Sequence, residues 1–190
     1  PTLRGGLSVS AINRYLMNAS ALFAHGVRHH FMGINPAEGQ KLDKEKRPFE
    51  ERPIFGPDDL VKIFKSKKYV EDDFIQPFMF WVPILGLYTG CRIEEICQLF
   101  CSDIVANEGV WCLDINTKDG KKLKNAHSKR LVPLHPFLSE TLDFPGYAKQ
   151  QAEKGHQRVF HELKKIGKGG KYAHAAGKWF NERYKKQIGL

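Results

Sequence analysis

The 190-residue chain contains no run of eighteen apolar residues, so no segment reads as a membrane-crossing helix. A charged-then-apolar leader is also missing, and the expected location is the cytoplasm, with no membrane partner. The chain opens on Pro rather than Met, as expected of a piece cut from a longer protein. Its cysteines are Cys91, Cys97, Cys101 and Cys112, and they lack the companion ligands at recognisable spacing that a zinc site needs. Most lie in apolar surroundings, where a thiol behaves as a small hydrophobe. They are read as free core thiols in a reducing compartment, with no metal and no cofactor. Internal repeats and low-complexity tracts are absent. Acidic residues are in the minority, 21 against 30 Lys and Arg, for a net charge of +9. That balance points to a polyanion such as nucleic acid, although basic surfaces also serve solubility.

What the chain does have is a distinctive stretch at Leu85–Leu99, LGLYTGCRIEEICQL. The apolar run from Phe78 to Leu87 reads as the end of a buried helix, which Thr89-Gly90 breaks. Ile93, Ile96, Cys97 and Phe100 then restart an apolar stripe at helical spacing. Between the two sits Arg92, with Glu95 three residues later on the same face. A guanidinium packed between apolar helices is costly unless an anion meets it. Two readings fit: a structural Arg–Glu pair, or a carboxylate orienting an arginine whose other donors await a phosphate.

Upstream, Leu7 to Phe31 carries a helical pattern through Ile12, Tyr15, Leu16, Ala19, Leu22, Phe23 and Val27, capped by Ser8 or Ser10 and closed by Gly33 and Asn35-Pro36. Gln40 to Pro53 is charged and aperiodic, a linker by composition. Gly56-Pro57-Asp58-Asp59 opens a helix with Leu60, Ile63 and Phe64 as its buried face. Downstream, Gly109 to Thr117 alternates as a strand, Asp119-Gly120 signals a turn, and Arg130 to His135 returns as a second strand. Pro136 starts an acid-capped helix that fades by Pro145-Gly146. Val159-Phe160 is an apolar piece of undefined type, Gly167 to Gly170 a flexible basic loop, and Ala173 to Ile188 a last amphipathic helix burying Ala176, Trp179, Phe180 and Tyr184. The class expected is α+β, mainly helical with a small antiparallel sheet or hairpin.

Thr89-Gly90-Cys91-Arg92-Ile93-Glu94-Glu95-Ile96 resembles the first box of the tyrosine recombinases, the phage integrase family, which reads T-G-x-R-x-x-E-[IL]. The run from Lys124 through Val132-Pro133-Leu134-His135-Pro136 is similar to that family's lysine hairpin, and the segment around Phe23-Ala24 and Asn35-Pro36-Ala37 resembles the end of its core-binding domain. The resemblance implies a partial core-binding domain over 1–39, a linker over 40–53 and the first part of a catalytic domain over 54–190. It implies catalytic roles for Arg92 and Lys124, with Glu95 orienting Arg92. Lys122 and Lys118 are alternates for the lysine, Lys118 requiring an unusually long hairpin tip. Lys118, Lys121, Lys122, Lys129, Arg130 and Arg28 are expected DNA contacts, Arg130 at a strand edge or on a phosphate. His25, Arg28 and His29 imitate the family's second box, H-x-x-R-H, but precede Arg92 in the chain and are set aside. His127 with Arg130 spells H-x-x-R on the hairpin and carries little weight.

The second box and the tyrosine nucleophile have no counterpart in these residues, and Tyr172 and Tyr184 are expected in the core. The implied parent is a site-specific DNA recombinase, or integrase, acting on double-stranded DNA through a 3′-phosphotyrosyl link and assembling as a tetramer on DNA. The piece itself is expected to be inactive, and a monomer or adventitious dimer. The other readings are a non-catalytic DNA-binding module on the same scaffold and a basic RNA-binding or structural domain.

Overall fold

The computed structural model describes residues 6–43, 54–166 and 169–190, so residues 44–53 of the expected linker 40–53 and two residues of the expected loop at 167–170 lie outside the described residues. The chain forms two compact units, Pro1–Phe55 and Gly56–Leu190.

In the first unit, α1 spans Val9–Arg28, and the Ser8 hydroxyl accepts the N–H of Ala11 at 3.3 Å. The helix stops earlier than Gly33: His29 caps it, and His30 turns the chain in the left-handed region at φ 59°. The following segment folds back along α1. Asn13 clamps Leu42 at two points, accepting from its N–H and donating to its carbonyl, both at 2.8 Å. The Asn35 amide donates to the Ser20 hydroxyl at 2.9 Å. No residue of α1 is buried, and of its apolar stripe Tyr15 and Leu22 stay 54% and 69% exposed.

The second unit is α+β. Helix α2, Pro57–Phe64, starts as the residues dictate, with proline in its first turn and the Asp59 carboxylate accepting the Gly56 N–H at 3.0 Å. A single turn, α3 (Lys67–Val70), leads to α4 (Pro77–Thr89), whose buried side chains include Phe78, Trp81 and Leu85. Gly90 ends α4 at φ 62°, a left-handed cap that a side chain would strain. Helix α5 is only Ile93–Cys97. The apolar stripe expected to continue to Phe100 is cut short: Ile93 is 42% exposed, and Phe100 makes an isolated bridge to Arg158.

A three-stranded antiparallel sheet follows, ordered β1 (Ile104–Asn107), β2 (Val110–Ile115) and β3 (Arg130–Pro133). The β1–β2 hairpin turns through Glu108 and Gly109, both at positive φ, and was not foreseen from the pattern. Between β2 and β3, Ile115 pairs with Arg130, so the connection is residues 116–129 and Asp119-Gly120 is a turn within it, not a hairpin tip. Pro145 and Gly146 open a helix rather than close one. Asp143, at φ 49°, accepts the Gly146 N–H and starts α6, Phe144–Glu153. The last helix runs through α7 (Ala173–Lys178), a π-helical stretch (Trp179–Tyr184) and α8 (Lys185–Gln187). Ala176 and Tyr184 on it are buried in a core that includes Phe78, Leu85, Ile96, Leu113 and Phe160.

What fixes the long β2–β3 connection is a buried ion pair. The Lys121 ammonium lies 2.5 Å from both carboxylate oxygens of Asp103, and each side chain is 4% exposed. Asp103 also accepts the Asn116 amide and the Phe100 N–H, each at 2.8 Å, so all its oxygens are engaged. One residue on, Gln98 clamps Lys122 like a strand partner, accepting its N–H and donating to its carbonyl at 3.1 Å. The expected DNA contact by Lys121 is therefore corrected, because its charge is consumed inside the protein. Lys121→Met leaves Asp103 buried without a cation, and urea unfolding is expected to show a loss of about 3–5 kcal/mol. A loss below about 1 kcal/mol, the range of an exposed pair, contradicts this structural role.

Candidate nucleic-acid interface

Arg92 occupies the N-cap position of α5 in extended conformation, immediately after the turn that Gly90 permits. The Glu95 carboxylate reaches back to accept the Arg92 N–H at 3.0 Å and its Nη1 at 2.7 Å. A second guanidinium arrives from β3. Arg130 donates Nη2 to Glu95 at 2.8 Å and Nη1 at 3.4 Å, and is itself steadied by the Ser128 carbonyl at 2.9 Å. One carboxylate thus binds two arginines. Glu95 is 3% exposed, whereas the Arg92 and Arg130 side chains are 50% and 38% exposed. The expectation of an arginine packed between apolar helices is reversed: the acid is the buried partner, and the arginines carry its charge out to the surface. Arg92 commits Nη1 to Glu95 and the Ser128 hydroxyl, which leaves Nε and Nη2 without a protein partner among the described residues.

Burial opposes the charged form of Glu95. The hydrogen bonds from Arg130, from the Arg92 N–H and from the Arg92 guanidinium outweigh it and hold the carboxyl below its ordinary value. Arg130 is in turn held above its ordinary value, chiefly by its bond to Glu95.

Arg92 and Lys124 line one cleft of about 410 Å³, together with Glu95, Gln98 and Lys122. Lys165, Lys171 and Tyr172 also line it. Glu94, the remaining carboxylate in the lining, accepts the N–H groups of Tyr172 and Ala173 at 3.1 and 2.8 Å, so it holds the start of α7 against α5. Two larger concavities, of about 650 and 620 Å³, lack such convergent charge: one runs along α1, and the other is walled mainly by aliphatic and aromatic side chains between α2 and α4. Chemistry, not size, singles out the smaller one.

The sequence-derived candidates divide accordingly. Arg92, Glu95, Lys122 and Lys124 share the cleft. Arg130 stands behind it on Glu95. Lys118 is exposed and 3.6 Å from Asp114, and Lys129 is exposed outside the lining. Arg28 is exposed at the end of α1, in the other unit. Tyr184 is core, 0% exposed, its hydroxyl 2.6 Å from the Ile63 carbonyl and 2.8 Å from Ser66. Tyr172, expected in the core, is partly buried and packs against it, and it also lines the cleft with the Arg158 guanidinium 3.7 Å over its ring. Sequence reasoning missed Lys165 and Lys171 because they flank a glycine-rich stretch with no periodicity. Comparison with protein-family models, with curated proteins and with solved structures found no match to this chain.

Because Glu95 titrates below its ordinary 4.5, the stability it confers is complete above that pH and is lost as pH falls through the lowered native value. Arg130→Ala removes the first of the interactions that lower it, so the native value rises. Urea unfolding is expected to show a loss of about 1–2 kcal/mol at pH 7, where Glu95 is charged, discounted because Arg130 is partly exposed. The difference should shrink at pH 3. A gap independent of pH contradicts the shared-carboxylate account.

Proposed function

We propose that this chain is the portion of a tyrosine-recombinase-type DNA strand-exchange enzyme that carries the first arginine and the lysine of the active site, working on double-stranded DNA. The observation that carries this reading is the meeting of Arg92 and Lys124 on one cleft, with Arg92 aimed by a buried carboxylate and its remaining donors unspent. Nε and Nη2 of a guanidinium form a fork suited to the two non-bridging oxygens of a phosphodiester. Donors preset in this way stabilise the charge that builds on those oxygens as the phosphorus becomes five-coordinate.

In the proposed reaction a tyrosine oxygen gives up its proton to water and forms a bond to phosphorus as the bond to the 5′ oxygen breaks, leaving a 3′-phosphotyrosyl link. Lys124 gives its proton to the departing 5′ oxygen and recovers one when a 5′-hydroxyl of another strand attacks the link. Glu95 and Arg130 touch neither DNA nor the reacting atoms; they are positioning residues. The nucleophile is assigned to polypeptide beyond these 190 residues. Of the tyrosines here only Tyr172 lines the cleft, and its ring is held by Arg158. For the chain by itself the reading is therefore DNA binding without cleavage.

Fluorescence anisotropy with a labelled DNA duplex, measured from low to moderate salt, tests this. The wild-type chain is expected to bind with a steep salt dependence, and Arg92→Ala with Lys124→Ala to reduce the slope of log K against log salt by about one, for the one phosphate they hold. Binding indifferent to salt, or a slope untouched by the double variant, contradicts the proposal. On a nicked suicide duplex the chain alone should form no covalent adduct.

A further inference from the structure

The cleft is too large for the single phosphate that Arg92 and Lys124 would hold. At about 410 Å³ it lies in the range that encloses a small organic ligand, not a lone ion. The lining also includes Lys165 and Lys171, and Lys171 is held to Ile166 by paired backbone hydrogen bonds at 3.1 and 3.2 Å. Tyr172, next to Lys171, is tied to α5 through Glu94, which takes the N–H groups of Tyr172 and Ala173. Both carboxylates in the lining are hydrogen-bonded, Glu94 to these amides, which leave its charge in place, and Glu95 to two guanidiniums. Lys165 and Lys171 form no ion pair among the described residues, although Lys165 lies 5.4 Å over the Tyr172 ring. Five cationic side chains, Arg92, Lys122, Lys124, Lys165 and Lys171, line the cleft against two carboxylates, and this net positive lining suits an extended anion whose charges are spaced along its length. A DNA strand has this form, one phosphate per 3.4 Å of helix axis.

Resting on the DNA reading of the cleft, we infer that Lys165 and Lys171 grip the backbone phosphate adjoining the one held by Arg92 and Lys124. Lys165 and Lys171 then extend the cationic lining along the strand, and Glu94, by binding the N–H groups of Tyr172 and Ala173, fixes Lys171 relative to α5.

The test is the salt dependence of duplex binding by the full 190-residue chain carrying Lys165→Gln and Lys171→Gln, against a control with Lys67→Gln and Lys149→Gln. The control lysines are exposed, outside the cleft lining and each within 4.0 Å of an i+4 glutamate, so it removes the same net charge at a distance from the site. The slope is expected to fall by about one for the cleft pair, for the one phosphate that pair holds, and to stay unchanged for the control. Equal falls in both variants reduce the effect to net charge and overturn the inference. So does an unchanged slope for the cleft pair while the Arg92 and Lys124 double variant still lowers it, an outcome that spares the DNA reading. If the wild-type chain binds duplex without salt dependence, the DNA reading itself fails. Thermal unfolding of each variant, expected within a few degrees of wild type, separates lost binding from lost fold.

Discussion

A single buried carboxylate organises the candidate site. Glu95 lies in the only full turn of α5 and is almost wholly removed from water, a position that is unfavourable for a charge unless cations meet it. Two do, one from its own helix start and one from β3. The carboxylate therefore joins the helical layer to the sheet and at the same time fixes the direction of Arg92. Neither arginine is itself buried, so the pair escapes most of the desolvation cost of a fully internal ion pair. The donors left over on Arg92 belong to a guanidinium that Glu95 holds at one end, on a residue that lines the cleft.

A second constraint places the lysines. Lys121 is drawn inward by Asp103, and Gln98 holds the backbone of Lys122, so the connection between β2 and β3 is pinned at two consecutive residues. Lys122 and Lys124, one and three residues further along, are left at the surface over the cleft. A lysine consumed in the interior thus aims its neighbours outward. The loop itself is long, but its functional part is only two or three residues from a rigid anchor.

The sequence was most informative where local chemistry decides the structure. The Gly56-Pro57-Asp58-Asp59 start, the break at Gly90, the return of β3 and the buried face of the last helix all depend on neighbours within a turn, and the α+β class follows from them. It was least informative where a distant partner decides. β1 is four residues long and partly exposed, with no alternation to reveal it. Asp143 in a left-handed conformation converts a Pro-Gly pair from a helix end into a helix start. Lys121 is indistinguishable in sequence from Lys122, and only Asp103, eighteen residues away, makes one internal and the other external. Arg130 was visible as a strand residue, but its bond to Glu95 spans thirty-five positions. The Arg92–Glu95 pair was readable because its spacing is three; what could not be read was which partner is buried.

The central claim is that Arg92 and Lys124 hold one backbone phosphate between them, with Glu95 fixing the arginine. A crystal structure of the chain bound to a DNA duplex tests it most directly. The account predicts one phosphate within hydrogen-bond distance of Arg92 Nε or Nη2 and of Lys124 Nζ, with the Glu95 contacts to both arginines unchanged. A duplex bound elsewhere on the surface, or a phosphate reached by one of the two cations while the other points away, would contradict it.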